Sequence, residues 1–165
     1  MNAILSLCGQ YRYSLSRPGG LMTAGGPSAM FLMLNPSTAD ATLDDPTIRR
    51  CRSFAAAWGM NGITVANLYA LRCTDPAGLW IHADPIGPKN DDHLYELAVT
   101  HGRVVCAWGA KARADRVAAV VRLLRDAGAT LACLGTTKSG APRHPLYVRG
   151  NQPLIEWTEP ATETA

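Results

Sequence analysis

The sequence predicts an α/β fold with three layers, in which helices cover both faces of a mainly parallel, four-stranded central sheet that follows a short N-terminal β element. Two observations support this prediction. Apolar runs of strand length alternate with helical segments along the chain. In addition, the run RVVCAW shows no alternation of apolar and polar residues, as expected for a strand that is covered on both faces.

The N-terminal region predicts a short hairpin or an edge strand. Apolar and polar residues alternate in the stretch QYRYSLSR, and Gly- and Pro-rich turn signals follow it. We expect residues 1–27 to be an extension of the same domain and residues 28–157 to form its main α/β body. Residues 158–165 are expected to be a disordered tail.

The main body is predicted from four apolar runs and the segments between them. The runs predict strands at 30–34 (MFLML), 63–71 (ITVANLYAL), 103–108 (RVVCAW) and 130–134 (TLACL). The intervening segments predict helices at 45–58, 91–101 and 111–127. Asp44 or Asp45 can cap the first helix, and Asn90 or Asp91 can cap the second. The third has an apolar face formed by Val117, Val120, Val121 and Leu124.

The composition is that of an ordinary globular domain. The chain has 165 residues, of which 47% are hydrophobic and 18% charged, with a net charge of +3 that permits nucleic-acid binding without requiring it. No apolar run approaches the roughly 18 residues of a membrane span. Because the N-terminal stretch also lacks the pattern of a secretory signal, we expect a cytoplasmic protein with no membrane partner.

The cysteines and histidines predict no metal site. None of the five cysteines forms a C-x-x-C pair, and the four histidines have no metal-ligand spacing. Cys106 and Cys133 lie in strand-like runs, so we expect buried, reduced thiols. The sequence motifs of phosphate-binding loops, dinucleotide-binding folds and serine hydrolases are also missing from the chain.

The first candidate site residues follow the predicted strands, because ligands of parallel sheets bind beyond the carboxyl ends of the strands. Asn35, fixed by Pro36, offers an oxygen that can bind water and an amide that can donate a hydrogen bond. The alternative is that Asn35, Ser37 or Thr38 only binds amides of the turn and of the helix start.

Asn67 lies towards the end of the second predicted strand, two residues before Tyr69. A carboxamide can pair with the edge of a nucleobase, and a neighbouring aromatic ring can stack on its face. The alternative is an asparagine that ends the strand by binding its own turn. Both interpretations remain open from the sequence.

The loop after the last strand contains His144, between Arg143 and Pro145. A histidine there can donate a hydrogen bond to an anion that develops on a leaving group. Basic side chains on the same loop and at neighbouring strand ends are expected to contact phosphate groups: Lys138, Arg143, Arg149, Arg72 and Arg113. The alternative is that they only belong to a solvated loop.

Taken together, the segments LNPSTAD, DDPTIRR, NLYALR, GPKND, AWG and HPLY closely resemble an uncharacterised bacterial and phage domain family of unknown function, over about residues 28–157. More remotely, they are similar to the uracil-DNA glycosylase superfamily. In that superfamily a first motif follows strand one, an Asn follows strand two, a V-x-x-x-W-G-x-x-A turn comes later and a His-Pro motif follows the last strand. The matching positions here are Asn35-Pro36-Ser37, Asn67, residues 105–112 and His144-Pro145-Leu146.

The resemblance implies a uracil-DNA-glycosylase-like fold, DNA as partner, a nucleobase as ligand and no cofactor. Asn35 would position the water that attacks C1′ of a flipped nucleotide, and His144 would stabilise the departing base. Asn67 would bind the base edge in a pocket completed by Pro36, Ser37 and Tyr69. Leu146 or Tyr147 would wedge into the duplex. The superfamily's more active branches have Asp where this chain has Asn35.

The predicted function is therefore recognition of a nucleobase and hydrolysis of its N-glycosidic bond, with a flipped base in DNA as substrate, modified or not, as in DNA repair or DNA modification. Two alternatives remain open. The first is a non-catalytic binder of nucleic acid or nucleotides, which Asn at position 35 favours. The second is an enzyme of modified-nucleotide metabolism that acts on free nucleosides or hypermodified bases.

Overall fold

The fold was analysed in a computed structural model that describes residues 2–20, 25–37 and 43–161. Within these ranges the chain forms one mixed sheet and three α-helices. The strands are β1 (Asn2–Leu5), β2 (Arg12–Arg17), β3 (Ala29–Met33), β4 (Ile63–Asn67), β5 (Arg103–Cys106), β6 (Thr130–Cys133) and β7 (Ile155–Glu156). The helices are α1 (Pro46–Ala57), α2 (Asn90–His101) and α3 (Ala114–Asp126). Short 3-10 helices occupy Pro76–Trp80 and Pro145–Tyr147.

The sheet confirms the α/β class but corrects the predicted strand number. Its order in the described chain is β1-β2-β4-β3-β5-β6-β7, with seven strands instead of four. The four predicted strands form the parallel centre, β4-β3-β5-β6. The predicted N-terminal β element is the antiparallel pair of β1 and β2, and β2 also pairs antiparallel with β4 through Leu15 and Val65. Strand β7, which was not predicted, pairs antiparallel with β6 through Ile155 and Cys133. A two-residue strand such as β7 is too short to show a periodic pattern in the sequence.

Two apolar cores on opposite faces of the sheet explain the three layers. On one face Phe31 and Met33 of β3 pack in a cluster with Ile48 and Phe54 of α1. On the other face Met30 and Leu32 pack with residues of α2 and α3, among them Leu94, Val120, Val121 and Leu124. Because consecutive strand residues point to opposite faces, a strand covered on both sides has to be apolar throughout.

Several element boundaries differ from the prediction by one to four residues. Strand β4 ends at Asn67, not at residue 71, and α3 begins at Ala114, not at residue 111. Asp45 caps α1 as expected, since its Oδ1 accepts a hydrogen bond from the Ile48 amide at 2.8 Å. Asn90 does not cap α2: it is the first residue of the helix, and its side chain is buried and binds elsewhere.

Two further predictions concern thiols and chain ends. Cys106 and Cys133 are buried free thiols, and burial raises the pKa of both. Of the predicted tail, residues 158–161 are described, whereas 162–165 lie outside the described residues, as does Thr38. None of the helices in the described ranges combines the length and apolarity needed to cross a membrane.

Leu124 provides a test of the core on the α3 face. It is fully buried, so Leu124→Ala should lower the free energy of unfolding by about 2–5 kcal/mol, through lost apolar burial and the cavity left behind. Leu7→Ala makes the same change at a fully exposed leucine and should leave stability nearly unchanged. Urea denaturation measures both; equal losses in the two variants would contradict this description of the core.

Candidate functional site

A cavity of about 310 Å³ opens at the carboxyl ends of the central strands. From β3 the chain continues to β4, whereas from the neighbouring β5 it continues to β6 on the other side, so the connections of β3 and β5 run in opposite directions. Such reversals create a crevice at the strand ends, which is where open α/β sheets bind ligands. We call it the strand-end cavity. The predicted residues that line it are Asn35, Pro36, Ser37, Asn67, His144 and Tyr147; Arg12, Asp45, Trp108 and Lys111 also line it.

Asn35 has its amide nitrogen fixed by the backbone. Its Nδ2 donates to the carbonyl oxygens of Cys73 at 2.8 Å and Pro36 at 3.1 Å. Both donors of the carboxamide are thereby used, which sets the orientation of the side chain. The carbonyl oxygen Oδ1 is the group left to accept a hydrogen bond from a ligand or from water.

Asn67 presents an unpaired carboxamide to the strand-end cavity. The residue is only 3% exposed, yet its side chain makes no hydrogen bond within the described ranges. Buried polar groups are nearly always hydrogen-bonded, since leaving one unpaired costs roughly 1–3 kcal/mol. A polar ligand or a water molecule in the cavity is therefore the partner that this side chain requires.

Two buried polar side chains support the backbone at the end of β4. Asn90 Nδ2 donates to the carbonyl oxygens of Asn67 at 3.0 Å and Leu68 at 3.1 Å. Arg116 Nε donates to the Leu68 oxygen at 2.9 Å, and its Nη2 pairs with Asp91 Oδ1 at 2.7 Å. The helices α2 and α3 thus fix the point from which Asn67 projects. This role could not be predicted from the sequence, because Asn90 resembles an ordinary helix cap.

Asn90→Asp tests this support. The substitution keeps the shape of the side chain but places a carboxylate oxygen against two carbonyl oxygens, and it buries a charge. We expect a loss of about 2–4 kcal/mol in the free energy of unfolding, measured by urea denaturation. Asp92→Asn, at an exposed position of the same helix, changes one charge in the opposite sense and should have little effect. An Asn90→Asp protein of unchanged stability would refute this role.

His144 begins the 3-10 helix Pro145–Tyr147, and its Nδ1 accepts a hydrogen bond from the Leu146 amide at 3.3 Å. Burial lowers the pKa of His144 from its ordinary 6.5, a shift partly opposed by the negative charge of Asp45. The ring is therefore neutral at pH 7. Because Nδ1 is an acceptor, the proton lies on Nε2, which can donate a hydrogen bond in the cavity.

Arg50 of α1 fixes the segment that contains His144. Its Nε donates to the Pro145 oxygen at 3.4 Å, and its Nη2 donates to the Val148 oxygen. The guanidinium also lies over the ring of Phe54, 5.2 Å from the centroid. The histidine is thus tied to the same helix whose first turn lines the cavity.

The pKa shift of His144 predicts a pH dependence of stability. Its folded-state pKa lies below the unfolded value, so the unfolded chain binds more protons and folding is disfavoured as the pH falls through 6.5. His144→Asn keeps an acceptor for the Leu146 amide but cannot titrate. We expect the melting temperature of the wild type to fall relative to this variant between pH 7.5 and 5, roughly the range on either side of the free imidazole pKa. A constant difference across that range would contradict the neutral state.

Two cationic residues in the cavity, Arg12 and Lys111, were not identified from the sequence as site residues. Arg12 is 6% exposed, and its Nε has no hydrogen-bond partner in the described part of the chain. Burial lowers the pKa of Arg12, as does the nearby charge of Arg72, whereas Asp45 acts in the opposite sense. Lys111 is the second cationic residue of the lining.

Asp45 contributes a carboxylate to the same lining, but both of its oxygens are engaged. Oδ1 caps α1, and Oδ2 accepts a hydrogen bond from Ser37 Oγ at 3.5 Å. In the described ranges, no three His, Cys, Asp or Glu side chains are grouped as metal ligands.

Tyr69 is not part of the cavity lining. It is buried on the α2 and α3 face, packs edge-on against Trp80 with 5.3 Å between ring centroids, and its hydroxyl accepts from the Arg113 amide at 3.4 Å. The regular alternation ends after Asn67, because the consecutive amides of Leu68 and Tyr69 donate to the consecutive carbonyl oxygens of Met33, the last residue of β3, and Leu34. The side chains of Asn67 and Tyr69 therefore lie on different faces of the sheet.

The predicted DNA-contact residues lie outside the cavity lining, except Tyr147. Leu146 and Tyr147 are exposed on the 3-10 helix that begins beside His144. Lys138, Arg143 and Arg149 are exposed, and Arg143 Nε donates to the Thr136 oxygen at 2.9 Å. Arg72 is half-buried and donates to the Gly9 oxygen at 3.1 Å.

Residues 12–146 match a protein family described as protein of unknown function (DUF1643), and the chain belongs to this family. The match includes β2, which supplies Arg12, and extends to His144 and Leu146. No curated protein matches the chain. No solved structure matches it either.

Proposed function

We propose that this chain binds a nucleobase in the strand-end cavity and hydrolyses its N-glycosidic bond to the sugar, acting on a flipped base in DNA. One observation supports this proposal above all. Asn35, Asn67 and His144, which are far apart in the sequence, line the same cavity. We also propose that the chain has a uracil-DNA-glycosylase-like fold. This part of the proposal rests on the similarity of the surrounding motifs to those of uracil-DNA glycosylases.

Base recognition is assigned to Asn67. Its buried carboxamide offers one acceptor and two donors and has no hydrogen bond in the described chain. A pyrimidine or purine edge presents complementary donors and acceptors, so pairing would satisfy the carboxamide and the base together. Asn90 and Arg116 keep the carboxamide in place through the β4 backbone, which reduces the entropy lost on binding.

Bond cleavage is assigned to a water molecule bound by Asn35 and to the imidazole of His144. The water oxygen bonds to C1′ of the sugar while the bond from C1′ to the base nitrogen breaks, and the electron pair of that bond leaves with the base. The His144 Nε2–H donates a hydrogen bond to the resulting anionic base. The proton released by the water passes to solvent or to the base, so no cofactor is required.

Contact with DNA is assigned to the residues around the mouth of the cavity. Leu146 and Tyr147 are exposed apolar side chains beside His144, where they can fill the space that a flipped nucleotide leaves in the duplex. Lys138, Arg143 and Arg149 are exposed on the adjoining loop, where they can contact phosphates.

One specific observation favours a second candidate function, a binder of bases or nucleotides without catalysis. The carboxamide of Asn35 orients a water molecule but is not basic enough to accept its proton. The carboxylate of Asp45, in the same cavity, is engaged as a helix cap and by Ser37. Such a protein would retain DNA in a salt-sensitive manner and leave the bases attached.

Base release distinguishes these functions. The protein is incubated with duplexes that contain uracil, mismatched or hypermodified bases, and with the matching free nucleosides, and released bases are identified by mass spectrometry. With the proposed function, a DNA substrate loses its base, and Asn35→Ala and His144→Asn each slow release by about 10²–10³-fold, as expected when a water-orienting group or an anion-stabilising donor is removed.

Matched controls outside the cavity are Asn151→Ala and His82→Asn, which should retain the wild-type rate. Retention of DNA without release of any base would support the binder. Release from free nucleosides alone, independent of Leu146 and Tyr147, would indicate an enzyme of nucleotide metabolism. Unchanged rates in both site variants would refute the assigned roles.

A further inference from the structure

We propose that the ligand of the strand-end cavity carries an oxyanion group, a phosphate or a carboxylate, and that Arg12 binds this group. The inference deepens the proposed function and rests on it for one point, namely that the ligand contains a nucleobase. The requirement for an anion stands on Arg12 itself.

Arg12 differs from the other buried arginines in lacking an acidic partner. Arg17 Nε pairs with Asp44 Oδ1 at 2.7 Å, and Arg116 Nη2 pairs with Asp91 Oδ1 at 2.7 Å. Arg12 is equally buried, yet it forms no ion pair with any described residue, and its Nε has no hydrogen-bond partner there. An unpaired buried charge is costly, so it is retained where a ligand supplies the partner.

The charges around the strand-end cavity favour an anion. Arg12 and Lys111 contribute two positive charges, and Asp45 contributes one negative charge that is already engaged by the α1 amide and Ser37. His144 is neutral in this environment. A guanidinium presents parallel N–H donors that match the oxygens of carboxylate and phosphate, whereas a neutral base carbonyl would leave the charge uncompensated.

A local irregularity in β2 directs Arg12 into the cavity. The pairing of β1 with β2 shifts register so that Ile4 faces Ser14 and Leu5 faces Arg12, which leaves Tyr13 as an extra residue. Tyr13 stacks on His93 of α2, on the opposite face, with ring centroids 4.7 Å apart. Bulges of this kind redirect side chains and are frequent beside active sites.

The anion has two possible sources, the phosphate of a nucleotide or an acidic substituent on the base, and ligand pairs separate them. Binding to the whole protein is measured by calorimetry for dUMP against deoxyuridine, and for orotate against uracil. Inorganic phosphate serves as a probe that requires no ring. We expect the anionic member of one pair to bind at least about tenfold more tightly than its neutral partner, as charge-assisted pairing with a buried arginine implies.

Two substitutions test the role of Arg12. Arg12→Met retains the length of the side chain without its charge and should abolish the preference for the anionic probe, whereas Arg12→Lys should retain part of it. Arg122→Met removes the same charge from an exposed position on α3, and this variant should show the full preference for the anionic probe. Without ligand, Arg12→Met should melt at or above the wild-type temperature, because an unpaired buried charge has been removed.

The inference is overturned if neutral and anionic probes bind equally, or if phosphate neither binds nor raises the melting temperature. It is also overturned if Arg12→Met and Arg12→Lys both lower the melting temperature strongly, because that result would indicate a purely structural arginine. Base release from DNA tests the proposed function separately. Anion binding through Arg12 without base release would refute only the hydrolase. Base release that is independent of Arg12 would refute only this inference.

Discussion

The parallel pairing of β3 with both β4 and β5 is the constraint on which the rest of the structure depends. Because β3 lies between them, the chain segments that follow these strands diverge, and a space is left between Asn35 and Gly109 at the carboxyl edge. Both faces of β3 are covered by apolar clusters, so the strand cannot shift its register without exposing a core. The position of the cavity is therefore fixed by hydrophobic packing, and the polar residues only have to follow the strands.

Around this frame, the polar side chains of the cavity are held by the backbone more than by one another. Asn35 is oriented by two carbonyl oxygens, and Asn67 is supported through its own carbonyl oxygen by Asn90. His144 is oriented by the Leu146 amide, while Arg50 ties its loop to α1. This arrangement leaves the Asn67 carboxamide without a protein partner in the described chain. A site that is organised before binding loses less entropy when its ligand arrives.

Two buried arginines of β2 differ in whether an acidic side chain balances their charge. Arg17 is neutralised by Asp44 at the start of α1, so it serves the packing of β2 against that helix. Arg12, five residues earlier on the same strand, is buried without such a partner among the described residues. Both arginines are buried on β2 but differ in charge balance, and that difference is the physical basis for expecting an anionic ligand.

The sequence by itself determined the α/β class and the four parallel strands, because apolar periodicity is a local pattern. Their succession along the chain also indicated the sheet edge at which Asn35, Asn67 and His144 meet, whereas the order of the strands in the sheet depends on long-range pairing. Only the tertiary structure decided which polar residues face the cavity. In QYRYSLSR the alternation places Arg12 on a solvated face, whereas pairing with β4 and the bulge at Tyr13 bury it. Tyr69 was predicted to lie within the strand at 63–71, but β4 ends at Asn67 and the alternation of the strand does not reach Tyr69. Side-chain direction at strand ends is set by long-range pairing, which no local pattern records.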